Sequence, residues 1–97
     1  MQGQFKTPGG KLVVVDFQVV DGFLRQVTVH GDFFLFPDEA FPALAAALEG
    51  APAGLSADLM AERVRKGLPA GAELVGASPD AIATAIQRGL AELGGRA

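Results

Sequence analysis

The chain has 97 residues, 49% of them apolar, and a formal net charge of −3, which together predict one small folded domain and exclude a disordered chain. It contains no cysteine and a single histidine, which excludes thiolate chemistry, disulfides and cysteine-ligated metal centres and argues against a histidine-centred triad. The charge gives no electrostatic reason to expect nucleic acid or an anionic membrane as a partner, and no apolar run is long enough to span a bilayer.

The start of the chain is polar. It carries no hydrophobic signal sequence, so a cytoplasmic protein is the default expectation. Residues 1–11 are rich in turn-forming residues and are predicted to be a flexible lead-in, followed by a single domain over residues 12–97. The first predicted strand, Leu12–Val20, is rich in valine, with alternate side chains on one face. The dipeptide Asp21-Gly22 after it indicates a hairpin.

The register of this hairpin depends on the length of its loop. A two-residue loop would set mainly polar residues of the second strand opposite the apolar face of the first. A three-residue loop over residues 20–22 sets a mainly apolar group there: Phe23, Arg25, Val27 and Val29. We therefore predict the three-residue loop, with Gly22 in the left-handed region forming a G1 bulge and Arg25 at the rim of the sheet.

Three helices are predicted after the hairpin. The first follows an N-cap at Asp38 and ends at Gly50, the second is capped by Ser56, and the third is capped by Ser78. Residues 72–77 form a short extended segment. The predicted fold class is α+β: a small antiparallel sheet of two to three strands with three helices packed on one face, in the order ββααα, with an optional short strand before the last helix.

No residue pattern in the chain is typical of catalysis. The glycines form no phosphate-binding loop, no carboxylate pair stands out for acid–base work, and both serines are helix caps. His30 ends a strand, where an exposed or hydrogen-bonded histidine is a simpler interpretation than a partner contact. The basic cluster at residues 63–66 is most simply a solvated helix end, with a docking surface as the alternative. We therefore predict no catalytic residue, no bound cofactor and no metal in this chain.

One stretch has a composition that points to a partner: residues 31–37, with the sequence GDFFLFP. Four large apolar residues in succession cannot all face one side of a pleated strand. Gly31 permits a bend, and Asp32 can bond neighbouring backbone amides. Either the whole run serves the internal core, or part of it forms an interaction surface. The candidate partner interface comprises Gly31, Asp32, Phe33, Phe34 and Phe36.

Four segments, in a fixed order, carry a resemblance to a known family: residues 11–13 together with the hairpin turn, residues 27–34 with Gly31-Asp32-Phe33-Phe34, residues 37–50 with the first helix, and residues 72–80. The first three resemble the accessory domain of lipoate–protein ligases. The last is similar to the form of that domain that occurs as a separate polypeptide. The likeness covers nearly the whole chain, from about residue 6 to residue 93.

The resemblance implies a role that the composition does not show. A lipoate–protein ligase joins lipoate to ATP, used with magnesium, to form lipoyl-AMP, and then passes the lipoyl group to a lysine of a lipoyl domain. The nucleotide and lipoate pockets lie in a separate, larger domain. The resemblance therefore implies a non-catalytic accessory subunit that binds neither ligand itself. Its implied partners are the catalytic subunit and, indirectly, lipoyl-domain proteins of 2-oxoacid dehydrogenase or glycine cleavage systems, with no nucleic acid and no membrane.

Two other functions stay open on the sequence alone. A small scaffold or binding module related to iron–sulfur assembly proteins can share a similar α+β core, but it needs thiolates, and this chain has none. A stand-alone binding module for a small acyl or nucleotide ligand would need no catalytic residue.

Overall fold

The computed structural model describes residues 1–9 and 11–94, so the last residues of the predicted domain, 95–97, lie outside it. Within the described residues the chain forms five strands and three helices: β1 Gln2–Lys6, β2 Leu12–Val20, β3 Phe23–Gly31, β4 Phe34–Phe36, α1 Ala40–Leu48, α2 Ala57–Gly67, β5 Glu73–Val75 and α3 Pro79–Gly94. The first three strands form one antiparallel sheet in the order β1-β2-β3, and β4 pairs with β5 in a separate antiparallel pair. The predicted α+β class is confirmed, as is the short strand before the last helix.

The helices cover one face of the three-stranded sheet. α3 packs against β1 and β2, α1 packs against β3, and α2 packs against both of the other helices. The largest fully buried side chains come from both sheets and all three helices: Phe17, Leu24, Leu35, Leu44, Leu48, Met60, Ile82 and Ile86. In the part of the chain that the structure describes, no helix combines the length and the apolar character needed to cross a bilayer.

β1 corrects the prediction that residues 1–11 are a flexible lead-in. Gln2–Lys6 pairs antiparallel with β2 along its whole length. This strand contains one large apolar residue, Phe5, so no strand pattern is visible in its sequence. Its place depends instead on close packing against α3, because a Cβ atom added at Gly3 would lie 1.7 Å from the carbonyl oxygen of Ala85.

The hairpin between β2 and β3 has a two-residue turn, so the predicted three-residue loop is wrong. Val20 pairs with Phe23, and both turn residues, Asp21 and Gly22, have a positive φ, of 54° and 85°. Positive φ at both central residues is the requirement of a type I′ turn. Gly22 does adopt the left-handed region as predicted, but it belongs to the turn and not to a bulge.

A bulge in the middle of β3 resolves the conflict that argued against a two-residue turn. Between residues 25 and 28, β3 has one residue more than the facing part of β2, and Gln26 there has a φ of 55°. The extra residue changes which face the following side chains occupy. Leu24 before the bulge and Val27 after it are therefore both buried, whereas Phe23, predicted to face the core, is 41% exposed.

Glu49 stabilises this bulge from the end of α1. Its two carboxylate oxygens accept hydrogen bonds from the backbone N–H groups of Gln26 and Val27, each at 3.1 Å. A bulge interrupts the hydrogen-bond ladder of the sheet, and bonds to an ionised acceptor are stronger than those to a neutral one. The carboxylate therefore ties α1 to the irregular part of β3.

We expect Glu49→Ala to lower the free energy of unfolding by about 1–3 kcal/mol, because it leaves two backbone donors without their acceptor. Urea denaturation of the purified variant measures this loss. The matched control is Glu62→Ala, which removes a carboxylate that lies 3.0 Å from Arg65 in an exposed ion pair and should cost less than about 1 kcal/mol. Equal losses in the two variants would contradict the role assigned to Glu49.

The helix caps agree with the sequence for two of the three helices. The hydroxyl oxygens of Ser56 and Ser78 each accept a hydrogen bond from the backbone N–H three residues later, at 3.2 and 3.1 Å. The predicted cap at Asp38 is wrong: the cap position of α1 is Glu39, which is already helical and makes no side-chain cap bond. Asp38 lies in the turn before the helix, where its carbonyl oxygen accepts from the N–H of Phe41 at 3.1 Å.

Candidate functional site

The segment between the hairpin and α1 divides its apolar side chains between the core and the surface. Phe33 and Leu35 are buried, at 5% and 1% exposure, whereas Phe34 and Phe36 are 59% and 52% exposed. This alternation follows from the pleat of a strand, in which successive side chains point to opposite faces. The interpretation in which the whole run serves the internal core is therefore wrong, because two of its four residues lie at the surface.

The exposed rings lie on the outward face of the β4–β5 pair. Phe34 pairs with Val75 and Phe36 pairs with Glu73, and residues directly opposite on antiparallel strands share a face. The two phenylalanine rings stack with 6.2 Å between their centroids and 17° between their planes. Val75 is itself 43% exposed. We call Phe34, Phe36 and Val75 the aromatic patch.

The buried residues on either side of Phe34 hold the aromatic patch in place. The ring of Phe33 packs against that of Phe41 in α1, with centroids 5.9 Å apart, and Leu35 belongs to the main hydrophobic core. Because Leu35 must stay buried, the two exposed rings cannot turn inward without moving it to the surface. Phe33, included in the predicted interface, is thus a core residue that supports the patch from below.

Gly31 and Asp32 position the start of this segment through their backbone. Gly31 has a φ of 149°, and a Cβ atom added there would lie 2.0 Å from the carbonyl oxygen of Leu12. The N–H group of Asp32 donates to the same oxygen at 2.9 Å. Glycine is therefore required at this position, where the chain leaves β3 close to the β2 backbone.

Two residues of the outward face, Val75 and Glu73, were not predicted as part of the interface from the sequence. They lie about forty residues after Phe34, and only the pairing of β4 with β5 brings them beside the two rings. The available signal was the short extended character of residues 72–77. That signal indicates a strand but does not identify its partner.

A polar cluster lies on the solvent-facing side of the three-stranded sheet, the side that the helices do not cover. Nε2 of His30 lies 2.8 Å from Oδ2 of Asp16, and Nε2 of Gln2 donates to Oδ1 of the same carboxylate at 2.9 Å. The hydrogen bond with His30, assisted by the one from Gln2, holds the pKa of Asp16 below its usual value. His30 is therefore an exposed, hydrogen-bonded strand residue, as the simpler interpretation predicted.

An open groove of about 650 Å³ lies between the turn after β1 and the start of α3. Much of its lining is apolar, including Phe5 and Ala81, and Lys11 and Asp80 are its charged members. Gly76, the residue after the aromatic patch, forms part of its wall. This groove is the place where a small ligand would bind if the chain were a stand-alone binding module. Over the described residues, no group of three or more acidic or histidine side chains could hold a metal ion.

Comparison with known proteins gives one structural likeness. Among solved structures, the chain is similar to a chain of an archaeal lipoylation system, a bi-partite lipoate protein ligase and its E2 lipoyl domain from Thermoplasma acidophilum. The match has a TM-score of 0.69 and covers 89% of this chain and 92% of that chain, at 20% sequence identity. No protein-family model and no curated protein matches the sequence. At this identity the likeness establishes that the chain shares its fold with a component of that lipoylation system.

Proposed function

Because the chain shares its fold with a component of an archaeal lipoylation system, we propose that it acts in protein lipoylation, as the non-catalytic accessory subunit of a two-part lipoate–protein ligase. A separate catalytic subunit then binds lipoate and ATP with magnesium and forms lipoyl-AMP, and this chain binds no cofactor. The lipoyl group passes to a lysine of a lipoyl-domain protein. The observation that carries the proposal is the extent of the structural match, which covers 89% of this chain and 92% of the similar chain. The two chains therefore match over nearly their whole lengths.

The surroundings of the two serine hydroxyl groups and of the single imidazole favour an accessory role over a catalytic one. The hydroxyl groups of Ser56 and Ser78 are engaged as helix caps. His30 is bound to Asp16 on the exposed face of the sheet, away from the groove beside α3. Each of these groups therefore has a structural partner in the fold.

An accessory subunit can raise a reaction rate without supplying a catalytic group. If the catalytic subunit has a competent conformation, a partner that binds this conformation more tightly increases its population. A preference of about 100-fold is enough to raise a conformation populated at about 1% to about half of the molecules. The proposed role thus requires a docking surface but no active site.

The direct test is the rate of lipoyl-AMP formation by the catalytic subunit of the same organism, supplied with lipoate, ATP and magnesium. We expect the rate to rise as this chain is added and to saturate once the complex is fully formed. This chain alone should produce no lipoyl-AMP. A rate that is unchanged over the whole titration would overturn the proposal.

The same mixture separates an accessory subunit from a lipoyl acceptor, the other kind of component named in the similar system. A lipoyl-domain protein is added, and the mass of each intact protein is then measured. We expect the lipoyl group on the lipoyl-domain protein and none on this chain. A lipoyl group on Lys6, Lys11 or Lys66 would instead identify this chain as an acceptor.

Calorimetry tests the stand-alone binding module. Titration of lipoate, and separately of ATP, into the isolated chain should give no measurable binding if this chain only assists a catalytic subunit. Saturable binding that is weakened by Lys11→Ala would place a small ligand in the groove beside α3 and favour the alternative.

A further inference from the structure

The aromatic patch is bordered by acidic side chains, most of them at its Phe36 end. Glu73 lies opposite Phe36 on the same face of the β4–β5 pair. Asp38 and Glu39 follow two and three residues after Phe36, which keeps their Cα atoms within about 11 Å of it. Asp32 lies two residues before the patch, and all four acidic residues are exposed. We call these four residues the acidic rim.

Over the described residues, no lysine or arginine nitrogen lies within 4.0 Å of a carboxylate oxygen of the acidic rim. The ion pairs found there join Arg65 to Glu62 and to Asp80. Lys11 lies at the other end of the patch, where its side chain packs beside Gly76, the residue after Val75. Negative charge is therefore concentrated at the Phe36 end of an apolar surface. Charges placed in this way favour a partner of opposite sign.

A second copy of this chain is a poor occupant of the surface. The exposed part of each phenylalanine amounts to roughly 100 Å², whereas a stable interface buries about 800 Å² on each partner. A symmetric contact whose two-fold axis runs along β4 would also set the acidic rim of one copy against that of the other, and like charges repel. The aromatic patch is therefore too small to form a stable interface by itself. It fits the centre of a larger interface with a different protein.

We propose, resting on the function proposed above, that the aromatic patch inserts into an apolar socket of the catalytic subunit whose border carries lysine or arginine side chains facing the acidic rim. In such interfaces a few desolvated aromatic side chains supply most of the affinity. Charges at the rim mainly set orientation and the rate of association. The two parts of the surface thus make separate contributions that can be measured separately.

Binding kinetics on immobilised catalytic subunit test the apolar part. Phe34→Ser and Phe36→Ser should each raise the Kd at least about 30-fold, as expected of a hot-spot residue. Their thermal midpoints should stay close to that of the unmodified chain, because both rings are more than half exposed. The matched control is Phe23→Ser, which removes a 41% exposed ring from the far end of β3 and should leave the Kd unchanged.

Neutralisation of the acidic rim tests the charged part. The triple variant Asp38→Asn, Glu39→Gln, Glu73→Gln should associate about tenfold more slowly at low ionic strength, and the difference should shrink as salt screens the charges. The control neutralises the same number of acidic residues elsewhere: Asp21→Asn, Asp58→Asn, Glu62→Gln. Its association rate should match that of the unmodified chain.

The outcomes separate this proposal from the function on which it rests. If the unmodified chain accelerates lipoyl-AMP formation but both serine variants bind as it does, the docking surface is overturned and the accessory role stands. If the serine variants lose binding but the triple variant associates normally at low salt, the proposal that lysine or arginine side chains border the socket is contradicted. If the unmodified chain neither binds nor accelerates the catalytic subunit, the accessory role fails and this proposal fails with it.

Discussion

Gly3→Ala should destabilise the protein by about 3 kcal/mol, the upper end of what overpacking usually costs. An added Cβ atom would lie 1.7 Å from the carbonyl oxygen of Ala85 and 2.9 Å from the backbone nitrogen of Gly89. Both contacts are with the backbone of α3, so no side-chain rotation can relieve them. The strand and the helix would have to separate, and the core side chains between them would lose contact.

The urea midpoints of three proteins test this result: the unmodified chain, Gly3→Ala and a control, Gly54→Ala. A Cβ atom added at Gly54 would meet nothing within 4 Å, and its φ lies outside the left-handed region. Alanine there should be neutral or should stabilise the protein by up to about 1 kcal/mol, through the entropy of the unfolded chain. Similar midpoints for the two variants would contradict the packing of β1 on α3.

Leu35→Ala should lower the free energy of unfolding by about 2–5 kcal/mol, because it removes a buried side chain and leaves a cavity. Leu35 is only 1% exposed, and β4 has just three residues in which to absorb the change. The neighbouring substitution, Phe34→Ala, removes a larger side chain. It should nevertheless cost less than about 1 kcal/mol, chiefly the stacking with Phe36, since that ring is 59% exposed.

Thermal and urea unfolding of these two variants decide which face of β4 is inward. A larger loss for Phe34→Ala than for Leu35→Ala would reverse the assignment and remove the aromatic patch as a surface feature. The expected order, with Leu35 required for stability and Phe34 dispensable, would support using Phe34→Ser as a probe of docking without loss of the fold.

Features that depend on a few neighbouring residues could be predicted from the sequence. The N-terminal cap of a helix needs only a hydroxyl oxygen that accepts a hydrogen bond from the backbone N–H three residues later. Ser56 and Ser78 supply this oxygen for α2 and α3. Asp21-Gly22 marked the hairpin because both residues tolerate a positive φ. Asp38 had the right residue type for a cap, but the turn of the backbone before α1 made the helix begin one residue later.

The hairpin register shows how a correct local constraint led to a wrong conclusion. The apolar faces of β2 and β3 do have to agree, and a two-residue turn alone would not align them. The chain meets the constraint with a bulge at Gln26, a residue type that rarely adopts a positive φ. The carboxylate of Glu49, more than twenty residues away in the chain, accepts hydrogen bonds from the backbone N–H groups at this bulge. A bulge that depends on so distant a residue has no local signature.

For the candidate site, the amino-acid sequence by itself determined that residues 33–36 could not all be buried on one face of a strand, because side chains alternate along it. It also determined where that run begins and ends, and the family resemblance of the chain. Only the tertiary structure decided that Phe34 and Phe36 are the exposed pair, because exposure depends on which face of β4 meets the core. The pairing with β5, which adds Val75 and Glu73, was likewise decided by contacts between segments far apart in the chain, and no local pattern specifies such contacts.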